Sequence, residues 1–219
     1  MLGGRRGRRC PDEDAGAVKD IATIDDIAGA LVGRVARSAA PGPQGHAAVA
    51  IILHAAMTAE PRVLIIERAP YDGDPWSSDL AFPGGRLEPD DADARAAAER
   101  ETLEEVGLDL SAARLLGRLD DRAARILPLT VSAFVYAIHT APELSLSDEV
   151  SDAFWVPVAH LVDANRQCEH HQRGQAEVHR YPAVDLFGPE KPLLWGVTYF
   201  FLCELLGEVG HELPLSSPA

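Results

Sequence analysis

Little in this chain of 219 residues would staple it, anchor it in a bilayer or steer it onto nucleic acid. Cysteine is scarce: Cys10, Cys168 and Cys203 are scattered and odd in number. No disulfide framework is suggested, which favours a reducing cytoplasm. No uninterrupted apolar run approaches the ~20 residues that a membrane helix needs, so no membrane partner is expected. Arginines at positions 5, 6, 8 and 9 are followed by PDEDAGAVKD, without an apolar stretch, so no secretory signal is expected. Positive charge is short as well, with 20 Lys and Arg against 34 Asp and Glu, a formal net charge of −14. That balance repels phosphate backbones and argues against extended DNA or RNA as a partner. A small phosphorylated substrate is still compatible, because bound metal ions reverse the local field.

What is present is ordinary globular material, 47% hydrophobic and 25% charged, enough for a core. The length suits one domain with a tail or a small appendage. Residues 1–18 are rich in Gly, Arg and Asp and read as a disordered tail. Thr23, Ile24, Asp25 and Asp26 open a helical pattern with Ile24, Ile27, Leu31 and Val35 on one stripe. It assigns 19–40 to an N-terminal helix stopped at Pro41-Gly42-Pro43. The main domain is expected over 44–210, with a tail at 211–219. Apolar runs at 47–53 and 62–67 read as strands joined by a hairpin connection, and further strands are expected at 115–119 and 129–138. A short helix is expected near 158–162 and a final helix over about 193–207. Residues 165–177 read as a polar insertion, with Cys168, His170 and His171 in a loop whose spacing fits no zinc pattern. Cys203, among Phe200, Phe201 and Leu205, reads as a small core hydrophobe.

The chemistry is concentrated in residues 84–108, GGRLEPDDADARAAAERETLEEVGL. On a helix, with Glu101 at zero, Glu105 lies at about 40° and Glu104 at about −60°. Leu103, Val106 and Ala96 fall near 200°, 140° and 220°, which assigns one side to the core and the other to concentrated negative charge. Arg100 sits one turn before Glu104 and can pair with it. Like charges at that spacing cost a few tenths of a kcal/mol per pair, a cost that hard divalent cations relieve. A bare acidic helix face reads first as solvated surface. Gly84 and Gly85, which let backbone approach a ligand or metal closely, shift the reading toward a site.

This segment resembles the Nudix box, which runs Gly, five residues, Glu, seven residues, then Arg-Glu-aliphatic-X-Glu-Glu-X-Gly-aliphatic. Arg100-Glu101-Thr102-Leu103-Glu104-Glu105-Val106-Gly107-Leu108 matches the second half except at Thr102. In the first half, five residues follow Gly85 before Asp91, which stands in place of the Glu, and eight residues separate Asp91 from Arg100. That expansion and the preceding Phe82-Pro83-Gly84-Gly85 resemble the coenzyme A pyrophosphatase-like branch of the family. The resemblance implies an α/β fold, a mixed curved sheet between helices with the box as loop–helix–loop. It implies that Glu101, Glu104 and Glu105, with the Gly85 carbonyl, bind Mg²⁺ or Mn²⁺. Arg100 would orient the glutamates and Asp91 would hold the loop. Glu101 or another carboxylate, Glu149 among the candidates, would take the proton of the attacking water.

Arg68, Trp76 and Phe82 are the substrate-binding candidates, Trp76 by stacking on a base or by packing its loop. The branch carries Arg and Gly eight and four residues before the Phe, where this chain has Asp74 and Ser78. Phe154-Trp155-Val156-Pro157 and Trp195-Gly196-Val197-Thr198-Tyr199 also recur in the branch and read here as packing. The activity implied is hydrolysis of a small nucleoside diphosphate derivative, coenzyme A-like or a dinucleotide, by a homodimer. A nucleotide sensor on the same fold and an acidic interaction protein are the rival readings; the intact glutamate set argues against a sensor.

Overall fold

A computed structural model describes residues 21–55, 60–71, 77–124, 128–173 and 178–215. Helix α1 (Ile24–Leu31) starts on a reciprocal cap: Thr23 Oγ1 accepts from Asp26 N at 3.2 Å, and the Asp26 carboxylate accepts from Thr23 N at 2.8 Å. It ends at Leu31, well before Pro41. Val32 is extended, Gly33 turns to φ 74°, and Arg34 is drawn away to Asp120, Glu204 and Glu208. Val35, expected on the apolar stripe, is 90% exposed.

Eight strands form one mixed sheet: β1 (His46–His54), β2 (Arg62–Arg68), β3 (Leu80–Ala81), β4 (Gly84–Arg86), β5 (Arg114–Arg118), β6 (Arg122–Ala124), β7 (Leu129–Ile138) and β8 (Val150–Pro157). Its main order is β3-β2-β1-β7-β5, with β4 added to β1, β6 to β7 and β8 to β2. The β1–β7 pairing is parallel along the whole of β1, and the other ladders are antiparallel. Ala47, Ile51, Leu53, Val63 and Ile65 face one core, shared with α1, α3 (Val158–Val162) and α4 (Gly196–Gly207). Ala48, Ala50, Ile52, Leu64 and Ile66 face the other, shared with α2 (Ala94–Val106). Helices on both faces explain why β1 and β2 are apolar without alternation. Burying each such isoleucine or leucine contributes about 1.5–3 kcal/mol. The expected sheet between helices is therefore present. No described helix is long and apolar enough to cross a membrane.

Residues 165–177 differ from the expected loop. β9 (Gln167–Arg173) pairs with β10 (Val178–Val184), and β11 (Leu194–Trp195) completes a second, three-stranded sheet. Cys168 is buried opposite Ala183, and the His170 ring stacks on Trp195 with centroids 3.9 Å apart. The apolar surface that makes this polar segment a strand comes from residues far along the chain. β11 also takes the first residues expected of the last helix, and Gly196, at φ 68°, makes the break from strand to helix.

Candidate active site

Pairing of β4 with β1 lays Gly84 and Gly85 beside α2. Gly84 N donates to Glu105 Oε2 at 2.9 Å. At φ 149°, Gly84 occupies backbone space that favours glycine, and a Cβ there would strike the Ala48 carbonyl. At Gly85 a Cβ would fall on the Glu101 carboxylate. The two glycines thus seat two carboxylates of α2 against the backbone.

α2 is capped by Asp93, which accepts from Ala96 N at 2.9 Å, and it closes at Gly107 in the left-handed conformation. Its rotation differs from the helical-wheel expectation. Ala97, Ala98, Thr102, Glu105 and Val106 are buried, whereas Leu103 is 51% exposed. Glu105 is turned inward because Gly84 N–H and Arg68, 3.7 Å away, receive it there. Thr102, the departure from the aliphatic pattern, is fully buried and donates its hydroxyl proton to the Ala98 carbonyl at 2.7 Å.

Arg100 holds the loop and the helix together. Its Nε and Nη2 donate to the two oxygens of Asp91, each at 3.0 Å, and Nη2 also reaches the Arg86 carbonyl. Its Nη1 lies 3.1 Å from Glu101 and 3.0 Å from Glu104. The Asp91 hydrogen bonds strengthen the guanidinium's hold on its proton, and Arg100 in turn lowers the Asp91 pKa. Glu104 is drawn out to Arg100 on the exposed side of the helix and does not line the cleft.

Three glutamates share the cleft, Glu101, Glu105 and Glu149, and Asp79 and Asp121 line it as well. Glu149 arrives just before β8, its carbonyl accepting from Ala69 N at 2.8 Å. Burial pushes the Glu105 carboxyl up to about 7, against the pull of Gly84 N–H and Arg68; Glu101 and Glu149 push it further. Burial raises Glu101 too, opposed by Arg100 and assisted by Glu104 and Glu149. Among the described residues, no three acidic, histidine or cysteine side chains converge into a ready-made cage. The donor chemistry nevertheless fits a hard divalent cation: oxygen ligands whose mutual repulsion and burial a cation would relieve, beside a glycine bend.

The cleft has a volume of about 1070 Å³, and besides the glutamates its lining includes Asp79, Arg122, Tyr181, Trp195 and Phe200. Arg68, a substrate candidate, lines it and also stands against Glu105. Phe82 forms part of its floor but is 2% exposed, so it serves as core. Trp76 and Asp74 lie outside the described residues. Ser78, where the branch has glycine, takes φ 62°, and every other described residue in the left-handed region is a glycine. Trp195 both packs, as expected, and lines the cleft; its Nε1 donates to Asp79 at 3.1 Å. Arg122, Tyr181 and Phe200 escaped the sequence reading because only long-range pairing brings them to the site, and no local motif marks them.

The NUDIX domain family model matches residues 45–181. The uncharacterized protein C14C4.10c of Schizosaccharomyces pombe is 40% identical over 114 residues, covering 48% of this chain and 35% of that protein. The mitochondrial coenzyme A diphosphatase NUDT8 of Homo sapiens is 35% identical over 125 residues, covering 55% of this chain and 51% of its own length. The chain thus spans about a third to a half of the length of these curated relatives. The crystal structure of a MutT/nudix family protein from Enterococcus faecalis superposes with a TM-score of 0.50 at 17% identity, over 86% of this chain and 70% of that one, a likeness of fold.

Proposed function

Because this chain belongs to the NUDIX domain family, and with it to the Nudix hydrolases, we propose that it is a divalent-metal-dependent pyrophosphohydrolase. Its substrate would be a nucleoside diphosphate linked to another moiety, coenzyme A-like or a dinucleotide. One observation carries the reading: Glu101 and Glu105 are held inward by Gly85, Gly84 and Arg100, in one cleft with Glu149. Those three carboxylates would hold the cation, Mg²⁺ or Mn²⁺ by donor type. Glu104 would join only by leaving Arg100. Bound there, the cation would draw charge from the diphosphate oxygens and make water a stronger nucleophile. The chain's own part is to fix the geometry and to accept a proton. Arg100 and Asp91 immobilise the loop, and Glu101 is seated beside the glycine bend with a carboxylate oxygen to offer. The proton of the attacking water passes to a carboxylate oxygen of Glu101 or of Glu149. In the same reading, Cys168 and Cys203, neither of them in a disulfide, suit the cytoplasm.

The test is incubation of pure protein with a panel of nucleoside diphosphate derivatives and Mn²⁺ or Mg²⁺. The expected result is release of a nucleoside monophosphate, lost in Glu101→Gln and Glu105→Gln variants that keep the wild-type circular dichroism. Binding of such compounds without product on any of them would replace the hydrolase with a nucleotide sensor.

A further inference from the structure

Glu101 and Glu105 come to the cleft on α2, but Glu149 is delivered from the start of β8, and its delivery depends on an irregularity of the sheet. From Arg62 to Glu67, β2 pairs one for one with Pro157 to Asp152; Arg68 then pairs with Val150, and Ser151 is left over as a bulge. A bulge shifts everything beyond it by one position, and a one-residue slip exchanges the two faces of a strand. With the bulge in place, Val150 is buried beside Leu64 and Ile66 in the core shared with α2. Arg68 stands against Glu105, and Glu149 lines the cleft with its carbonyl accepting from Ala69 N at 2.8 Å.

The last regular pair before the bulge is unfavourable by itself. Glu67 and Asp152 stand directly opposite each other, where like charges repel. Lys191, from the segment between β10 and β11, answers both. Its Nζ lies 2.7 Å from Glu67 Oε2, 3.1 Å from Asp152 Oδ2 and 5.1 Å from the Phe154 ring centre. Lys191 itself does not line the cleft. Its side chain is 33% exposed, so the two pairs add little to global stability and act locally. Without the ammonium, two opposed acids would part the strands at the pair that sets the register of Arg68 and Glu149.

Resting on the hydrolase reading, we propose that Lys191 is a positioning residue for Glu149. By joining Glu67 to Asp152 it holds the bulge, and the bulge keeps the Glu149 carboxylate where the cation binds.

Calorimetric titration of the full chain with Mn²⁺, without substrate, reads the site without turnover. Lys191→Met should weaken Mn²⁺ binding roughly fivefold, less than the ~10-fold or more expected of a group that touches a metal ligand directly. The sign separates the causes. Loss of a positive charge acting only through its field would tighten Mn²⁺ binding. A clasp that served stability alone would lower the melting temperature and leave the affinity of the folded protein unchanged. Coupling gives the second readout: Glu149→Gln should weaken Mn²⁺ binding, and adding Lys191→Met to it should change nothing further. If Lys191→Met fails to melt cooperatively, Asp152→Asn, which opens half of the clasp, takes its place in the same cycle. Unchanged or tighter binding in Lys191→Met, no effect of Glu149→Gln, or an equal loss with and without the Glu149 carboxylate would overturn the proposal and leave the hydrolase reading standing. A wild type that binds no Mn²⁺ would overturn both.

Discussion

The two ends of the cleft are built by opposite means. At one end, residues 84–108 supply the glycine bend, the clamp and two of the three cleft glutamates from a single stretch, held by contacts such as Arg100 to Asp91 nine positions apart. At the other end, Arg122, Tyr181, Trp195 and Phe200 come from β6, the second sheet and α4, brought together by pairing and packing across the chain. A local device can fix a geometry that the chemistry requires with little help from the rest of the fold. A wall gathered from distant elements depends on the whole fold and is free to vary with the substrate. Damage at the first end should therefore appear in turnover, and damage at the second in substrate affinity.

The largest effect is expected from the smallest change, Gly85→Ala. A methyl group at that position takes the space of the Glu101 carboxylate. Displacing a reacting group by about an ångström costs on the order of 100-fold in rate, so turnover should fall by at least about that factor. The melting temperature should move little. Measuring both on one preparation checks the claim, and near-normal turnover would show that Glu101 does not need its seat.

Next in size is a pH effect on metal-free protein. The folded chain holds the Glu105 proton up to about pH 7, against an ordinary carboxylate value of 4.5. Between those values the folded state binds more protons than the unfolded one, so stability falls as pH rises. The contribution is fully present below about pH 4.5 and is lost as pH passes through about 7. Its size is on the order of 3 kcal/mol. Urea unfolding between pH 5 and 8 should show this slope in the wild type, a weaker one in Glu105→Gln, and a flattened one when Mg²⁺ is added. Equal slopes in wild type and variant would remove burial of Glu105 as the cause.

At the distal wall the effects should be milder. Trp195→Phe keeps a ring to stack on His170 and loses the hydrogen bond to Asp79. A stability loss of about 1 kcal/mol is expected. Steady-state kinetics should give a KM raised about threefold with kcat unchanged, the signature of lost ground-state binding. A fall in kcat as large as that in Gly85→Ala would abolish the distinction between the two ends.

How much was legible beforehand follows the same division. β1, β2 and β7 of the main sheet could be read because apolar runs such as 47–53 are long enough to be strands and are covered on both faces, whereas the two- and three-residue strands β3, β4 and β6 carry no such run and were not read. The box could be read because its identities are contiguous. β9 could not, since Gln167 to Arg173 is polar and becomes a strand only against Tyr181, Ala183 and Trp195. The end of α1 was missed because Val35 continues the helical period while Gly33 and the ion pairs of Arg34 end it. Glu104 was grouped with Glu101 and Glu105 by helical spacing and by the box resemblance, neither of which registers the competing pull of Arg100.

The smallest effect tests the rotation of α2, where an angular count placed Leu103 opposite the acids and hence in the core. That inference assumes apolar side chains decide which face turns inward. Here a backbone N–H and an arginine receive Glu105 instead, and Thr102 hides its hydroxyl on the Ala98 carbonyl, leaving Leu103 half exposed. Leu103→Ala should then change stability by no more than about 0.5 kcal/mol, as surface substitutions do. Val106→Ala, at a fully buried position on the same helix, should cost roughly 1–3 kcal/mol. Equilibrium unfolding of the two variants side by side measures the difference. If Leu103→Ala proved as costly as Val106→Ala, the helix would face the other way, and the seat of Glu105 against Gly84 would go with it.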